Sequence, residues 1–142
     1  MQAIIGSEFS KKVIPLIDNA KKSISIVVFD WRWYANDIAN PVQLFNQALV
    51  RACKRGVEVY VIANSLDVIA TLQKCGVQAK KLFTGNLVHS KLMIIDECIV
   101  IVGSHNYTQS AFTTNYEISA LIDGKAEAAD FINYFNAIWA HP

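Results

Sequence analysis

The stretch His89-Ser90-Lys91-Leu92-Met93-Ile94-Ile95-Asp96, with Gly103-Ser104-His105-Asn106 a few residues later, decides the interpretation of this sequence. It combines an imidazole, an ammonium, hydroxyls and a carboxamide in an otherwise apolar part of the chain. The flanking segments, Leu92 to Ile95 and Cys98 to Val102, predict two buried strands, because they are short, apolar and rich in β-branched residues. Polar side chains next to such strands are costly unless they are paired. Their grouping predicts an anion site that contains a nucleophile, which indicates phosphoryl-transfer chemistry.

Outward from this stretch, strands and helices alternate in the first half of the chain, and strands cluster in the second. Apolar residues at helical spacing predict four helices, which follow Ser7 and Asn40-Pro41 and cover 65–74 and 125–139. The predicted strands are Ser23 to Asp30, Val57 to Ala63, Val77 to Phe83, Leu87 to Asp96, Cys98 to Val102 and Asn115 to Ile122. The pattern predicts an α/β fold with one domain over residues 1–142, in which a central mixed β-sheet lies between helices in a three-layer α/β/α arrangement.

Composition narrows the class of protein without identifying a partner. The 142 residues are 53% hydrophobic and 18% charged, which is typical of a globular domain rather than a disordered chain. The formal net charge of +1 lacks the strongly basic character of many nucleic-acid-binding domains, so any polyanion contact must come from local clusters. Three cysteines without paired spacing argue against a disulfide framework or a zinc site. Nothing in the sequence supplies a cluster of metal ligands, and we predict no metal and no cofactor.

The sequence is consistent with two cellular compartments. Residues Met1 to Ser10 lack the charged and apolar regions of a signal peptide. We expect a periplasmic or secreted protein if a signal peptide was removed, and a cytoplasmic protein otherwise. No apolar run reaches the roughly 18 residues that a membrane span needs, so we predict no stable membrane insertion.

The polar residues of the central stretch suit a phosphodiester. His89 and Lys91 are two residues apart on a predicted strand and should share one face. The ammonium of Lys91 and the amide of Asn106 are suitable donors for two non-bridging phosphate oxygens, and Ser104 adds a hydroxyl. A neutral imidazole can attack phosphorus, and the ordinary histidine pKa of about 6.5 allows that state near neutral pH. Glu117 is a candidate acceptor for the second ring nitrogen.

The spacing His89-x-Lys91-x4-Asp96-x6-Gly103-Ser104-x-Asn106 resembles the full HKD signature of the phospholipase D superfamily. The chain also resembles the small, single-motif, EDTA-resistant bacterial endonucleases of that superfamily in length and element order. The resemblance implies a phospholipase D-like fold and a reaction without a metal. It implies these roles: His89 as nucleophile or acid, Lys91 and Asn106 as the phosphate-binding pair, Ser104 as support for the phosphate or the histidine, Glu117 as the carboxylate that orients the histidine, and Asp96 as a mainly structural residue.

One HKD motif is half of an active site in this superfamily, because one histidine attacks and another protonates the leaving oxygen. The other two histidines do not fill the gap: His105 occupies the variable position of Gly-Ser-x-Asn, and His141 is the penultimate residue. The resemblance therefore implies a two-fold homodimer that brings two copies of His89 together.

Three functions are consistent with this pattern. The first is an endonuclease that cleaves single-stranded DNA or RNA, with DNA favoured, through a phosphohistidine intermediate. The second is a phosphodiesterase of phospholipids such as cardiolipin or phosphatidyl lipids, and the third is an inactive HKD module that binds nucleic acid.

Two further segments allow either a substrate contact or a packing role. In Trp31-Arg32-Trp33-Tyr34, Trp31 and Arg32 can stack on bases or bind the backbone of a nucleic acid, whereas Trp31 and Trp33 can instead pack at the core edge or a dimer interface. His105 is interpreted as a loop or rim residue, with a substrate contact as the alternative. A lone histidine on an apolar strand is usually a core residue, but the complete motif spacing favours a catalytic role for His89.

Overall fold

The computed structural model describes residues 1–142 and contains a seven-stranded mixed sheet with helices on both faces. The strands are β1 (Gln2–Ile5), β2 (Ser23–Val28), β3 (Glu58–Ile62), β4 (Gln78–Lys80), β5 (Lys91–Ile95), β6 (Ile99–Gly103) and β7 (Ile118–Asp123). The helices are α1 (Phe9–Asp18), α2 (Pro41–Lys54), α3 (Leu66–Lys74), α4 (Gln109–Thr113) and α5 (Lys125–Trp139), with a 3-10 turn at Gly6–Glu8.

The strand order across the sheet is β1-β7-β6-β5-β2-β3-β4. Strands β2, β3 and β4 are parallel to one another, and every other neighbouring pair is antiparallel. The predicted mixed sheet of a three-layer α/β/α fold is therefore confirmed.

Two apolar layers hold the helices against the sheet. Met93 and Ile95 of β5 point into the larger core, which they share with helices α1, α2 and α3. Leu92 and Ile94 point to the opposite face and pack with Ala128 of α5. Side chains alternate between the two faces along β5. Lys91, the first residue of the strand, is therefore on the same face as Met93 and Ile95.

Several element boundaries differ from the sequence prediction. Strand β5 begins at Lys91 rather than Leu87, because its neighbour β2 ends at Val28, directly opposite Lys91. The segment before Lys91 lies outside the sheet. Ser7 does not cap α1, since it lies within the 3-10 turn and the helix begins at Phe9.

Two short elements were not predicted from the sequence. The edge strand β1 buries only Ile4, so its four residues show no alternation that the sequence could reveal. Helix α4 has five residues and buries only Ala111 and Phe112, which is too short for a helical period to be recognised.

Gly103 permits a close approach of β6 to β7. A Cβ atom at this position would lie 2.4 Å from the Cα of Ser119 and 2.5 Å from the carbonyl oxygen of Ile118. The glycine of the Gly-Ser-x-Asn sequence therefore has a steric role: it lets the strand that leads to Ser104 and Asn106 lie against β7.

We predict that Gly103→Ala destabilises the domain by about 3 kcal/mol, because the added methyl meets backbone atoms that cannot move independently of the sheet. Gly56→Ala is the matched control: Gly56 has φ +96° but nothing within 4 Å of its Cβ position, so it reports backbone strain alone, about 1 kcal/mol. Urea unfolding of both variants measures the difference. Equal losses for the two variants would contradict the steric role.

Candidate active site

The polar residues of the motif, apart from Asp96, gather at one end of the sheet. This end carries the final residues of β2 and β6 and the first residues of β5 and β7. After β6, the chain continues to Tyr107, whose backbone N–H donates to the carbonyl of Asp30 and whose carbonyl accepts from Arg32 N–H, both at 3.0 Å. Since β5 lies between β6 and β2, the segment 104–107 must cross the beginning of β5, where His89 and Lys91 lie.

His89 and Lys91 are in direct contact. The Nζ atom of Lys91 lies 3.2 Å from Nδ1 and 3.3 Å from Nε2 of the exposed His89 ring. The Phe29 ring packs against both residues, with its centroid 4.8 Å from that of His89 and 5.4 Å from Lys91 Nζ. A neutral imidazole presents one ring nitrogen with a lone pair, which can accept from this ammonium.

The charge of Lys91 is available to an anion. The three ion pairs of the chain, Lys12–Glu8, Arg32–Asp30 and Arg51–Asp18, do not include Lys91. Partial burial lowers the pKa of Lys91, and the negative charge of Glu117 opposes this shift.

Asn106 is oriented by the neighbouring strand. Its Oδ1 accepts from the backbone N–H of Asp30 at 3.1 Å, which identifies the amide oxygen and directs it towards β2. The Nδ2 group of this half-buried side chain has no protein acceptor, so it can donate to a ligand.

Ser104 and Glu117 form a hydrogen-bonded pair, whereas the sequence predicted a pairing of Glu117 with His89. The Ser104 hydroxyl donates to Glu117 Oε1 at 2.6 Å and accepts from the Ile118 N–H at 3.0 Å. The other carboxylate oxygen, Oε2, accepts from Asn115 Nδ2 at 3.0 Å. Within one chain Glu117 makes no hydrogen bond to His89, and its predicted role of orienting that ring stays a prediction. Likewise Ser104 directs its proton to Glu117 and not towards a phosphate.

Asp96 lies at the opposite end of β5, roughly 16 Å along the strand from Lys91. Its carboxylate accepts from the backbone N–H groups of Lys21, Lys22 and Ser23 at 2.6–3.1 Å. It thus joins the hairpin turn to the start of β2. This position fits the mainly structural role that the resemblance implies.

His105 and Trp31 are core residues: the loop or rim position predicted for His105 is wrong, and Trp31 takes the packing alternative rather than the substrate contact. His105 is 1% exposed, with Nδ1 bonded to Ser119 Oγ and Nε2 bonded to the Gly6 carbonyl. Burial lowers the pKa of His105, although the Gly6 carbonyl and Glu117 oppose the shift. Trp31 is also 1% exposed, and its indole N–H donates to Asn46. Neither ring can reach a substrate.

Arg32 remains accessible, as the substrate-binding prediction requires. Its side chain is 63% exposed and pairs only with Asp30, at 3.0 Å. A surface pair of this kind contributes little to stability, so the guanidinium can exchange its partner for a phosphate.

Three supporting residues escaped the sequence interpretation. Phe29 packs on His89, Asn115 fixes Glu117, and Asn64 donates to the carbonyls of Phe29 and Val88 at 2.9 and 3.0 Å. Asn64 thereby ties the segment before His89 to the end of β2. Its position directly after a predicted strand was the one available signal. Elsewhere, no three His, Cys, Asp or Glu side chains are grouped as metal ligands. The helices include none with the length and hydropathy of a transmembrane segment.

Comparison with known proteins identifies the family. The family described as "Cardiolipin synthase, PLD-like domain" matches residues 13–139, which is most of the chain. The chain therefore belongs to the phospholipase D-like (PLD-like) domain family.

Three similar proteins illustrate its range. The solved structure of a phospholipase D family member, Nuc from Salmonella typhimurium, is 25% identical, with a TM-score of 0.80 over 99% of this chain and 95% of that one. The virion nicking-joining enzyme of Vaccinia virus (strain Western Reserve) is 26% identical over 95% of this chain and 36% of its own length. The mitochondrial cardiolipin hydrolase of Canis lupus familiaris is 27% identical over 94% of this chain and 52% of its own length. The chain thus spans between about a third and a half of these two curated relatives.

We predict that Asp96→Asn lowers stability at pH 7 by on the order of 1 kcal/mol, since a carboxylate that accepts several N–H groups is replaced by a neutral amide. Asn tolerates the left-handed backbone of this position, φ +54°, so the change isolates the charge. Burial alone would raise the Asp96 pKa, but the backbone donors and Lys22 outweigh it and the pKa is lowered.

A lowered pKa in the folded state contributes stability that is present above the unfolded value, about 3.9, and is lost as the pH falls through the folded value. The difference between wild type and Asp96→Asn should therefore shrink below about pH 4. Urea unfolding from pH 3 to 7 measures it, and a pH-independent difference would contradict the role of the carboxylate.

Proposed function

We propose that the domain is a phosphodiesterase that cleaves nucleic acid without a metal ion. The observation that carries the proposal is the contact between the exposed His89 ring and the unpaired ammonium of Lys91. A nucleophile beside a free cation suits a phosphodiester, because the cation stabilises negative charge that develops on the non-bridging oxygens as the nucleophile attacks. Asn106 supplies a second donor from the crossing segment.

In the proposed first step, a nitrogen of His89 forms a bond to phosphorus while the bond from phosphorus to the leaving sugar oxygen breaks. The leaving oxygen takes a proton from His89 of a second copy. In the second step water attacks the phosphohistidine, the second histidine accepts the water proton, and the nitrogen–phosphorus bond breaks. The products are a free hydroxyl end and a phosphomonoester end.

Nucleic acid is favoured over lipid by the size of the domain. Nuc matches this chain almost end to end, and the chain resembles small endonucleases with a single motif. Phospholipid is the second candidate, because the cardiolipin hydrolase is equally similar in sequence. The large apolar side chains of Leu87, Tyr116 and Ile118 are also exposed near this end of the sheet, where a lipid surface could contact them.

We predict that the wild-type protein cleaves a fluorescent single-stranded oligonucleotide in the presence of EDTA and that His89→Ala loses at least about 1,000-fold of this activity. Vesicles that contain cardiolipin or phosphatidylcholine are the parallel substrates. Cleavage of lipid alone would select the second candidate. Equal processing of oligonucleotide by wild type and His89→Ala would show that the motif performs no chemistry.

An active site shared by two chains predicts how many phosphohistidines form per chain. If one His89 attacks while the other serves as acid, an acid-quenched reaction should hold at most one phosphohistidine per two chains. Sedimentation should give twice the mass of one chain, and mass spectrometry of the quenched protein should locate the adduct at His89. Full activity in a protein that sediments as a monomer would contradict the shared site.

A further inference from the structure

A polar cleft of about 560 Å³ opens beside the candidate active site. Its walls are the segment that follows β2 and the short helix α4 with its flanking residues. The lining side chains that matter here are Asp30, Arg32, Tyr34, Thr108, Ser110 and Thr114. We propose that this cleft binds the sugar–phosphate strand on one side of the scissile phosphate, with Arg32 as the contact to the neighbouring phosphate; the inference rests on the proposed nuclease function.

The cleft is continuous with the phosphate-binding residues. Asp30 lines the cleft and donates its backbone N–H to Asn106 Oδ1 at 3.1 Å. Thr108 lines it from the other wall and follows Asn106 by two residues. A nucleic acid strand with one phosphate bound by Asn106 would therefore continue directly into the cleft on this side.

The lining suits a nucleic acid strand better than an acyl chain. Of the eight residues around the cleft, Tyr34 is the one hydrophobic member, and the others offer hydroxyl, amide, carboxylate or guanidinium groups. Ser110 and Thr114 are exposed, and neither hydroxyl has a protein partner. An acyl chain needs an apolar lining, whereas sugar and phosphate oxygens accept hydrogen bonds from such donors.

Arg32 is placed to recognise a phosphate. Its guanidinium can bind two phosphate oxygens at once, and its present partner is the half-buried carboxylate of Asp30. Asp30 opposes an incoming anion, so the cleft balances one attractive and one repulsive charge. This balance favours a moderate affinity that lets the product strand leave.

A buried amide network holds the Arg32 wall in place. Asn46 accepts from the Trp31 indole N–H at 2.7 Å and donates to the Arg32 carbonyl at 3.1 Å. Gln43 accepts from the Tyr34 N–H at 2.9 Å. These amides of α2 are almost fully buried and use their hydrogen bonds on the wall of the cleft, so the cleft is formed before a ligand binds.

The two walls are also linked to each other. The backbone N–H of Gln109 donates to the Tyr34 hydroxyl at 3.1 Å, and Asn40 Nδ2 donates to the Gln109 side-chain oxygen at 3.2 Å. These contacts form the base of the cleft. Its width is consequently set by hydrogen bonds between the two walls rather than by a mobile loop.

The test uses two cleft variants, Arg32→Ala and Ser110→Glu/Thr114→Glu, and one charge-matched control, Asn133→Glu/Ala137→Glu. The control residues are exposed on α5, on the other face of the sheet. Binding of a labelled single-stranded oligonucleotide is measured by anisotropy in a His89→Ala background, which prevents turnover. Hydrolysis of a chromogenic phosphodiester, too small to reach from the active site into the cleft, is measured with active His89.

We expect both cleft variants to weaken oligonucleotide binding about tenfold or more and the control to change it less than about twofold. Arg32→Ala should also reduce the slope of log affinity against log salt by about 0.7, the value for one phosphate contact on a single strand. Hydrolysis of the small diester should change far less than cleavage of the oligonucleotide.

The possible failures are distinguishable. If wild type cleaves the oligonucleotide but the cleft variants bind it like the control, the cleft assignment is overturned and the proposed function stands. If wild type cleaves only the small diester and cardiolipin vesicles, both the nuclease function and the cleft assignment are overturned.

Discussion

The crossing of the segment 104–107 over the beginning of β5 is the constraint on which the candidate site depends. Strand β6 ends on one side of β5, yet its continuation forms backbone hydrogen bonds on the other side, with the chain that extends β2. The path brings Asn106 to the end of the sheet where His89 and Lys91 emerge. Residues that are 15 or more positions apart in the sequence are therefore brought to the same end of the sheet.

The crossing is secured by packing as much as by hydrogen bonds. Tyr107 is buried among Phe9, Phe45 and Trp31, with ring centroids 4.7–6.0 Å apart. Burial raises the pKa of its phenol, so the ring stays neutral in the core. Asn106 and Thr108, on either side of Tyr107, are thereby kept near the surface. An anchored aromatic residue between polar neighbours explains how one short segment serves both the core and the site.

The sequence predicted the site better where the chemistry is local. His89 and Lys91 are two residues apart, and the predicted strand period was enough to expect both on one face, where they are in contact. His105 and Trp31 were misassigned because their environment is built from distant parts of the chain. The partner of the His105 Nε2 is the carbonyl of Gly6, and the partner of the Trp31 indole is Asn46 of the next helix. No local pattern reports such contacts.

The same dependence on distant contacts explains which helices and strands could be predicted from the sequence. Segments with strong periodicity, such as α2 and β2, were predicted close to their observed bounds, whereas β1 exists only through its register with β7. Glu117 is a single residue whose position was predicted but whose hydrogen-bond partners were not. It lies at the expected end of the sheet, but Ser104 and Asn115 on neighbouring segments determine where its oxygens point.

The positions of the three histidines explain why one chain holds only half of the proposed mechanism. The leaving oxygen needs an acid, and both ring nitrogens of His105 are already bonded inside the core. His141 lies beside Lys80 at the β4 edge, three strands and roughly 14 Å from β5. Neither can reach a phosphate held by Lys91. Since His89 is exposed at an open end of the sheet, the proposed two-fold dimer would give the site a second imidazole without any new residue, and the symmetry of the pair would supply both nucleophile and acid.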